Sequence, residues 1–209
     1  MDLAIIDLHT RIGQGQRYNW TQVSEIEPDI YLGGIPQPKD DYVDERNENS
    51  VEAPHALIKK LGIGLVVSIT DDKVYWNFEE GVHSLHFVLY DHPESNISIA
   101  FPRAIMVIEE ARKQKKKVLI HCHAGISRSS TILAAYYLYK GLPSQPRYTR
   151  ITTSLTRVED VIRFIKSKRP FVLPNVGFIK LLCMYDEKIR EIHDPPDDVL
   201  IEDDQCVVM

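Results

Sequence analysis

Apolar residues in this chain fall into two patterns: short unbroken runs, and longer stretches spaced three and four apart. Leu65-Val-Val-Ser-Ile69 and Lys117-Val-Leu-Ile-His121 are unbroken aliphatic runs, the pattern of strands covered on both faces in a parallel sheet. Val23 to Leu32 reads as a strand or paired strands that stop at Gly33-Gly34, and Val82 to Tyr90 as a further strand that Asp91-His92-Pro93 breaks. Helical spacing predicts helices over Ala53 to Leu61, Ile99 to Lys113, Ser129 to Leu138, Thr156 to Lys168 and Asn175 to Ile192. In the first of these Pro54 is tolerated in the opening turn and Gly62 closes the helix. In the second, Ala104, Ile105, Ile108 and Ala111 share one face. Strands alternating with helices predict an α/β domain, a central and mostly parallel twisted sheet flanked by helices.

The pattern divides the chain into an N-terminal arm or short helix (1–22), a domain (23–192) and an acidic, mobile tail (193–209). Residues 40–50 are acidic and aperiodic, so an exposed loop is expected there, and 141–151, with its prolines, should be an irregular connection carrying Arg147, Tyr148 and Arg150. The 209 residues carry 25 Lys+Arg against 30 Asp+Glu, a net charge of −5, which argues against general nucleic-acid binding because that needs a basic footprint. The chain has no apolar run of about 18 residues, so no membrane span is expected. Cys122, Cys183 and Cys206 are too few and odd in number for a disulfide framework, which predicts a reducing compartment, cytosol or nucleus. Cys183, among Leu181, Leu182 and Met184, is expected in the core. The basic run Arg112 to Lys117 is read as cations at a helix C-terminus. The last residues, Cys206-Val-Val-Met209, fit a prenylation box of the farnesyl type. With Asp203 and Asp204 beside it, a single prenyl chain would anchor weakly, so membrane contact is expected only if Cys206 is modified.

The chemistry-bearing stretch is Val118-Leu-Ile-His-Cys122-His-Ala-Gly-Ile-Ser-Arg128-Ser129. A buried strand ends in a cysteine, and six positions later an arginine opens a helix. Such a loop can turn its backbone N–H groups inward around an anion, with the positive helix end behind them. Gly125 permits a tight backbone path, and Arg128 supplies a planar fork for two phosphoryl oxygens. Cys122, within those donors and beside Arg128, is expected to ionise readily and so to be a nucleophile aimed at phosphorus. An acid for the leaving oxygen is also required. Asp91, on the loop after a strand, is the first candidate, because loops after parallel strands rim the same sheet edge. Asp71 and Asp72 are the runners-up.

His121-Cys-His-Ala-Gly-Ile-Ser-Arg-Ser-Ser130 resembles the active-site signature of the dual-specificity phosphatases, a branch of the cysteine-based protein tyrosine phosphatases. Ile30-Tyr-Leu-Gly-Gly34, Leu61-Gly-Ile63, Asp91 with Asn96-Ile97, and Lys168-Arg-Pro170 with Pro174-Asn175 are also similar to that family, so the likeness runs from about Ser24 to Ile189. The resemblance implies a phosphocysteine mechanism. Cys122 would attack phosphorus, and Arg128 would clamp the phosphoryl oxygens together with the loop His123, Ala124, Gly125, Ile126 and Ser127. Asp91 would serve as acid and then base, Ser129 would donate to the sulfur, and His121 would orient the loop from beneath. It implies no metal and no cofactor, and a phosphoprotein partner, kinases among the candidates. A phosphoinositide phosphatase and a non-catalytic phosphate-binding module are the competing classes. The loop between Cys122 and Arg128 holds no lysine, which favours a phosphoprotein over a lipid headgroup. About 23 residues precede the first strand, so a small, atypical member without a separate docking domain is expected. An acidic pH optimum follows from needing Cys122 ionised while Asp91 keeps its proton.

Overall fold

The computed structural model describes residues 23–34, 54–72, 81–143 and 154–193. The arm at 1–22, the loop at 40–50, Arg147, Tyr148 and Arg150, and the tail from 194 onward with Cys206 lie outside the described residues.

Among the described residues, five strands form one sheet: β1 (Ser24–Glu27), β2 (Ile30–Gly34), β3 (Ile63–Thr70), β4 (His83–Val88) and β5 (Lys117–Cys122), in the spatial order β1-β2-β5-β3-β4. The β1–β2 pair is antiparallel, while β2, β5, β3 and β4 run in one direction. The helices are α1 (Pro54–Leu61), α2 (Phe101–Lys113), α3 (Arg128–Lys140), α4 (Ser154–Lys168) and α5 (Val176–His193).

Side chains alternate across the sheet as a period of two requires. Ile30, Leu32, Leu65, Val67, Ile69, Val118 and Ile120 join the core shared with α2, α3, α4 and α5, while Tyr31, Val66 and Leu119 pack with Ile58 of α1 on the opposite face. The register slips between Ile63 and Leu65, and this bulge lets Ile63 face α1 although Leu65, two positions on, faces away. Both faces are therefore covered, the reason β3 and β5 read as unbroken apolar runs. Each such aliphatic side chain contributes roughly 1.5–3 kcal/mol by leaving water. Helix α3 is buried on every side from Arg128 to Leu138 and forms the centre of the helical layer. Asp186 of α5, fully buried, is paired with Arg157 of α4 at 2.5 Å, which ties the last two helices together.

Some elements differ from the sequence-based expectation. β4 stops at Val88, short of Tyr90, because the chain peels from the edge after Leu89 N–H donates to Thr70 O at 2.9 Å. The predicted helix at 99–113 is a 3-10 turn (Ile97–Ala100) followed by α2 with Pro102 in its first turn, where a missing N–H costs nothing. α3 begins at Arg128, one residue earlier than predicted. Cys183 is half-buried and packs against the core without lying inside it, since its position on α5 borders the exposed Met184. Arg112 of the basic run is more than a helix-end cation. It pairs with Glu27 of β1 and donates to the Tyr136 hydroxyl at 3.0 Å, joining α2 to the sheet and to α3. Among the described residues, no helix is long and apolar enough to cross a membrane.

One consequence of the strand directions fixes the site. The parallel strands end at Gly34, Thr70, Val88 and Cys122 along a single edge, so the segments after β3, β4 and β5 meet there.

Candidate active site

The segment after β5, residues 123–127, is held from outside by a brace between α4 and α5. Arg169, fully buried, donates from Nε to Gly125 O at 2.9 Å and from Nη2 to Ala124 O at 3.1 Å. Leu173 N–H donates to Ile126 O at 2.9 Å. A trans peptide directs its C=O and N–H oppositely. Anchoring the carbonyls of Ala124, Gly125 and Ile126 outward therefore turns the N–H groups of Gly125, Ile126 and Ser127 inward. The Gly125 N–H bears this out, lying 3.2 Å from Cys122 Sγ. Gly125 itself sits at φ 65°, and a Cβ there would come within 2.4 Å of the Gly33 carbonyl carbon and 2.6 Å of Arg169 Nη2. Any side chain would collide with buried backbone.

Cys122 ends β5, is 2% exposed, and accepts from both Gly125 N–H and the Ser129 hydroxyl, each at 3.2 Å. These donors, the start of α3 and the inward N–H groups give the sulfur surroundings suited to a negative charge. Helix α3 carries no side-chain cap at Ser127, whose hydroxyl is directed elsewhere. Beneath the loop, His121 is buried, its Nε2 2.7 Å from Ser68 Oγ and its Nδ1 3.3 Å from the Cys122 carbonyl. Burial pushes His121 down to about 4, with smaller contributions from His86 and His123, so the ring is neutral at physiological pH. Arg169 is lowered to about 10 by burial, opposed by the charge of Cys122, and keeps its proton at neutral pH. Its guanidinium also stacks 4.2 Å over the Phe171 ring.

The two carboxylate candidates end up in different places. Asp91, on the segment after β4, accepts from the Ser127 hydroxyl at 2.7 Å and from Asn175 Nδ2 at 2.9 Å, with its other oxygen 3.7 Å from Arg128 Nε. Its side chain is 35% exposed and stands at the mouth of the loop. Asp71, after β3, is paired with Arg128 Nη1, which also donates to Leu89 O at 3.0 Å. Asp72 contributes its backbone carbonyl to Thr70 Oγ1. Asn175 serves two partners at once. Its Oδ1 caps α5 by accepting from Phe178 N–H at 3.0 Å, while Nδ2 holds Asp91. Gly177 admits the Asp91 segment against α5, since a Cβ there would lie 1.8 Å from Pro93 O.

The structure thus brings Cys122, Arg128, Asp91, Ser129 and His121 around the one loop. His123 is exposed at its rim, Ala124 and Ile126 are half-buried, and Gly125 and Ser127 are buried within it. Ser127 faces the site with its backbone, since its hydroxyl serves Asp91 and accepts from Asn175 N–H at 3.2 Å. Sequence reasoning gave Arg169 and Asn175 no role beyond their place in a family likeness, and Leu173 and Ser68 none. A Lys-Arg-Pro at the end of a helix was the available signal, but nothing in the sequence says that this arginine turns inward. Among the described residues, no cluster of His, Cys, Asp and Glu is arranged to hold a metal ion.

A cysteine at the end of a parallel strand, a loop of inward N–H groups and an arginine opening the next helix define the cysteine-loop phosphatase class. Structural comparison agrees at the level of fold: the crystal structure of the Yvh1 phosphatase domain from Chaetomium thermophilum superposes with a TM-score of 0.65 at 23% identity, covering 80% of this chain and 96% of that one. The family described as the dual specificity phosphatase catalytic domain matches residues 47–188. The chain belongs to the dual-specificity phosphatase family. It is 32% identical over 134 residues to the dual specificity protein phosphatase Mpk3 of Drosophila melanogaster, covering 64% of this chain and 29% of that protein. To human dual specificity protein phosphatase 9 it is 30% identical over 169 residues, covering 79% of this chain and 36% of that protein. The chain therefore spans about a third of the length of these relatives.

Proposed function

We propose that the chain hydrolyses phosphate monoesters on tyrosine and on serine or threonine of protein substrates, through a phosphocysteine intermediate. The observation that carries this reading is the Cys122 sulfur, which receives the Gly125 N–H and the Ser129 hydroxyl at 3.2 Å at the focus of the inward-turned loop. Thiolate attack on phosphorus forms the S–P bond and breaks the P–O bond to the substrate oxygen, which takes its proton from Asp91. Arg128 and the N–H groups of Gly125, Ile126 and Ser127 hold the equatorial oxygens as they gain charge. In the second step Asp91 takes a proton from water, the water oxygen attacks phosphorus, and the sulfur leaves as thiolate. Ser129 stabilises that departing charge with its hydrogen bond.

The phosphoprotein class, kinases among the candidate substrates, is supported by a loop that carries no lysine between Cys122 and Arg128. Phosphate release is measured from phosphotyrosine, phosphothreonine and doubly phosphorylated peptides and from phosphoinositides, with Cys122→Ser beside the unaltered chain. Release from both kinds of peptide, abolished by Cys122→Ser, is expected. Release from lipid alone moves the substrate class to phosphoinositides, and phosphopeptide binding without release makes the chain a binding module.

A further inference from the structure

We propose that Asp71 is a positioning residue for Arg128, which turns the Nε–Nη2 edge of the guanidinium toward the phosphate. The inference rests on the phosphatase reading above. A guanidinium offers parallel N–H pairs along two edges, Nε with Nη2 and Nη1 with Nη2. In Arg128 the second edge is engaged: Nη1 donates to the Asp71 carboxylate and to Leu89 O at 3.0 Å. The Nε of the first edge is not. It is buried and has no hydrogen-bond partner among the described residues, Asp91 Oδ2 standing 3.7 Å away. A buried, charged N–H without an acceptor is costly to the fold, and a phosphoryl oxygen entering beside Cys122 is the acceptor that relieves it.

Sheet register explains why both anchors sit at one level. Asp71 follows β3 and Leu89 follows β4, and these strands are paired in parallel as far as Thr70 with Val88. Acceptors from two adjacent strand ends thereby meet a single nitrogen of the arginine that opens α3. The Asp71 side chain is 41% exposed, against 6% for Arg128. An ion pair open to water on one side adds little to stability, so its effect is on orientation.

Simple charge arithmetic makes the opposite prediction. Removing a carboxylate beside an anion site should tighten anion binding, whereas removing an anchor should loosen it. The test is calorimetric binding of tungstate, a phosphate-shaped oxyanion, to the full chain, together with steady-state kinetics on a phosphotyrosine peptide. Asp71→Ala is expected to weaken tungstate binding and raise KM, each about tenfold, with kcat held within about threefold. Asp71→Asn, which keeps an oxygen acceptor, should fall between Asp71→Ala and the unaltered chain, and it carries the test if the alanine variant proves unstable. Asp72→Asn removes the same charge one position away without touching Arg128, and its tungstate affinity should stay within about twofold of the unaltered chain. Equal or tighter tungstate binding by Asp71→Ala overturns the inference and makes Asp71 a competitor of phosphate. If the unaltered chain neither binds tungstate nor releases phosphate, the phosphatase reading falls and takes this inference with it. Tungstate binding and turnover that ignore Asp71 sink the inference alone.

Discussion

The loop after Cys122 and the segment that carries Asp91 face each other across the same site, yet they are held in different ways. The first is anchored through its backbone by donors from the segment after α4: Arg169, fully buried, takes the carbonyls of Ala124 and Gly125, and Leu173 takes that of Ile126. Gly33 and Arg169 leave no room for a side chain at Gly125. The second is held at Asp91 by side-chain tips, the Ser127 hydroxyl and the Asn175 amide. Its neighbours Tyr90, His92 and Glu94 are exposed. Donors for a developing oxyanion act best when fixed before the reaction. On the function proposed above, Asp91 would have to meet both a tyrosine oxygen and a shorter serine or threonine oxygen, which reach different heights above the loop. A rigid cradle facing an adjustable acid suits that requirement.

The sharpest way to break this contrast is to force the rigid half to move. Gly125→Ala demands positive φ from alanine and drives Cβ into the Gly33 backbone. The expected result is a loss of about a thousandfold in kcat/KM, the scale on which misplaced oxyanion donors cost an enzyme, with a stability loss of about 2–4 kcal/mol in urea unfolding. Turnover within tenfold of the unaltered chain would show the loop to be as adaptable as the Asp91 segment.

Arg169→Met keeps bulk and stacking volume against Phe171 but frees the carbonyls of Ala124 and Gly125. Unfolding should be easier by about 3 kcal/mol, the usual scale for buried acceptors stripped of a charged donor, and kcat/KM should fall about a hundredfold as the N–H groups lose their common direction. Stability lost with kinetics unchanged would mean that the arginine braces the fold without shaping the loop.

This contrast also separates what the sequence revealed from what it hid. β3, β5 and α3 were legible because burial on both faces leaves an unbroken apolar run, and the cysteine loop was legible because its residue types have few other uses. Asp91 could be placed at the rim because parallel strands end together. The brace was not legible. Arg169 is charged, and a charged residue near a helix end is ordinarily solvated; only three-dimensional packing turns it onto Gly125. Ser68 hid for a similar reason, being one polar residue in an apolar strand whose partner, His121, is 53 positions away. The 97–100 turn escaped because a 3-10 segment and an α-helix share apolar spacing over a single turn.

His121 tests how the rigid half is supported from beneath. Burial depresses its folded pKa to about 4, against an ordinary value near 6.5. The unfolded chain therefore binds a proton first as pH falls. The stability associated with the neutral ring is complete above about pH 6.5 and is lost as pH falls from there toward 4, up to about 3 kcal/mol. Urea midpoints measured from pH 7 to pH 4 should show this decline, and His121→Gln should flatten it. A slope unaltered in His121→Gln would assign the acid sensitivity to other groups.

The smallest expected effect addresses the adjustable half and is the most selective. Asn175→Ser keeps a side-chain oxygen to cap α5 but removes the Nδ2 donor on Asp91. Serine and asparagine cap helices about equally well, so stability should change by no more than about 0.5 kcal/mol. Asp91 would keep only the Ser127 hydroxyl and the more distant Arg128, and should sample positions away from the leaving oxygen. That deficit matters only where proton donation limits the rate. Turnover of a phosphothreonine peptide, whose alkoxide needs its proton, should fall about tenfold, while an aryl phosphate with an acidic phenol should be hydrolysed at nearly the original rate. Equal losses on both substrates would mean that Asn175 shapes the loop instead of the acid, and the two halves of the site would then be one rigid body.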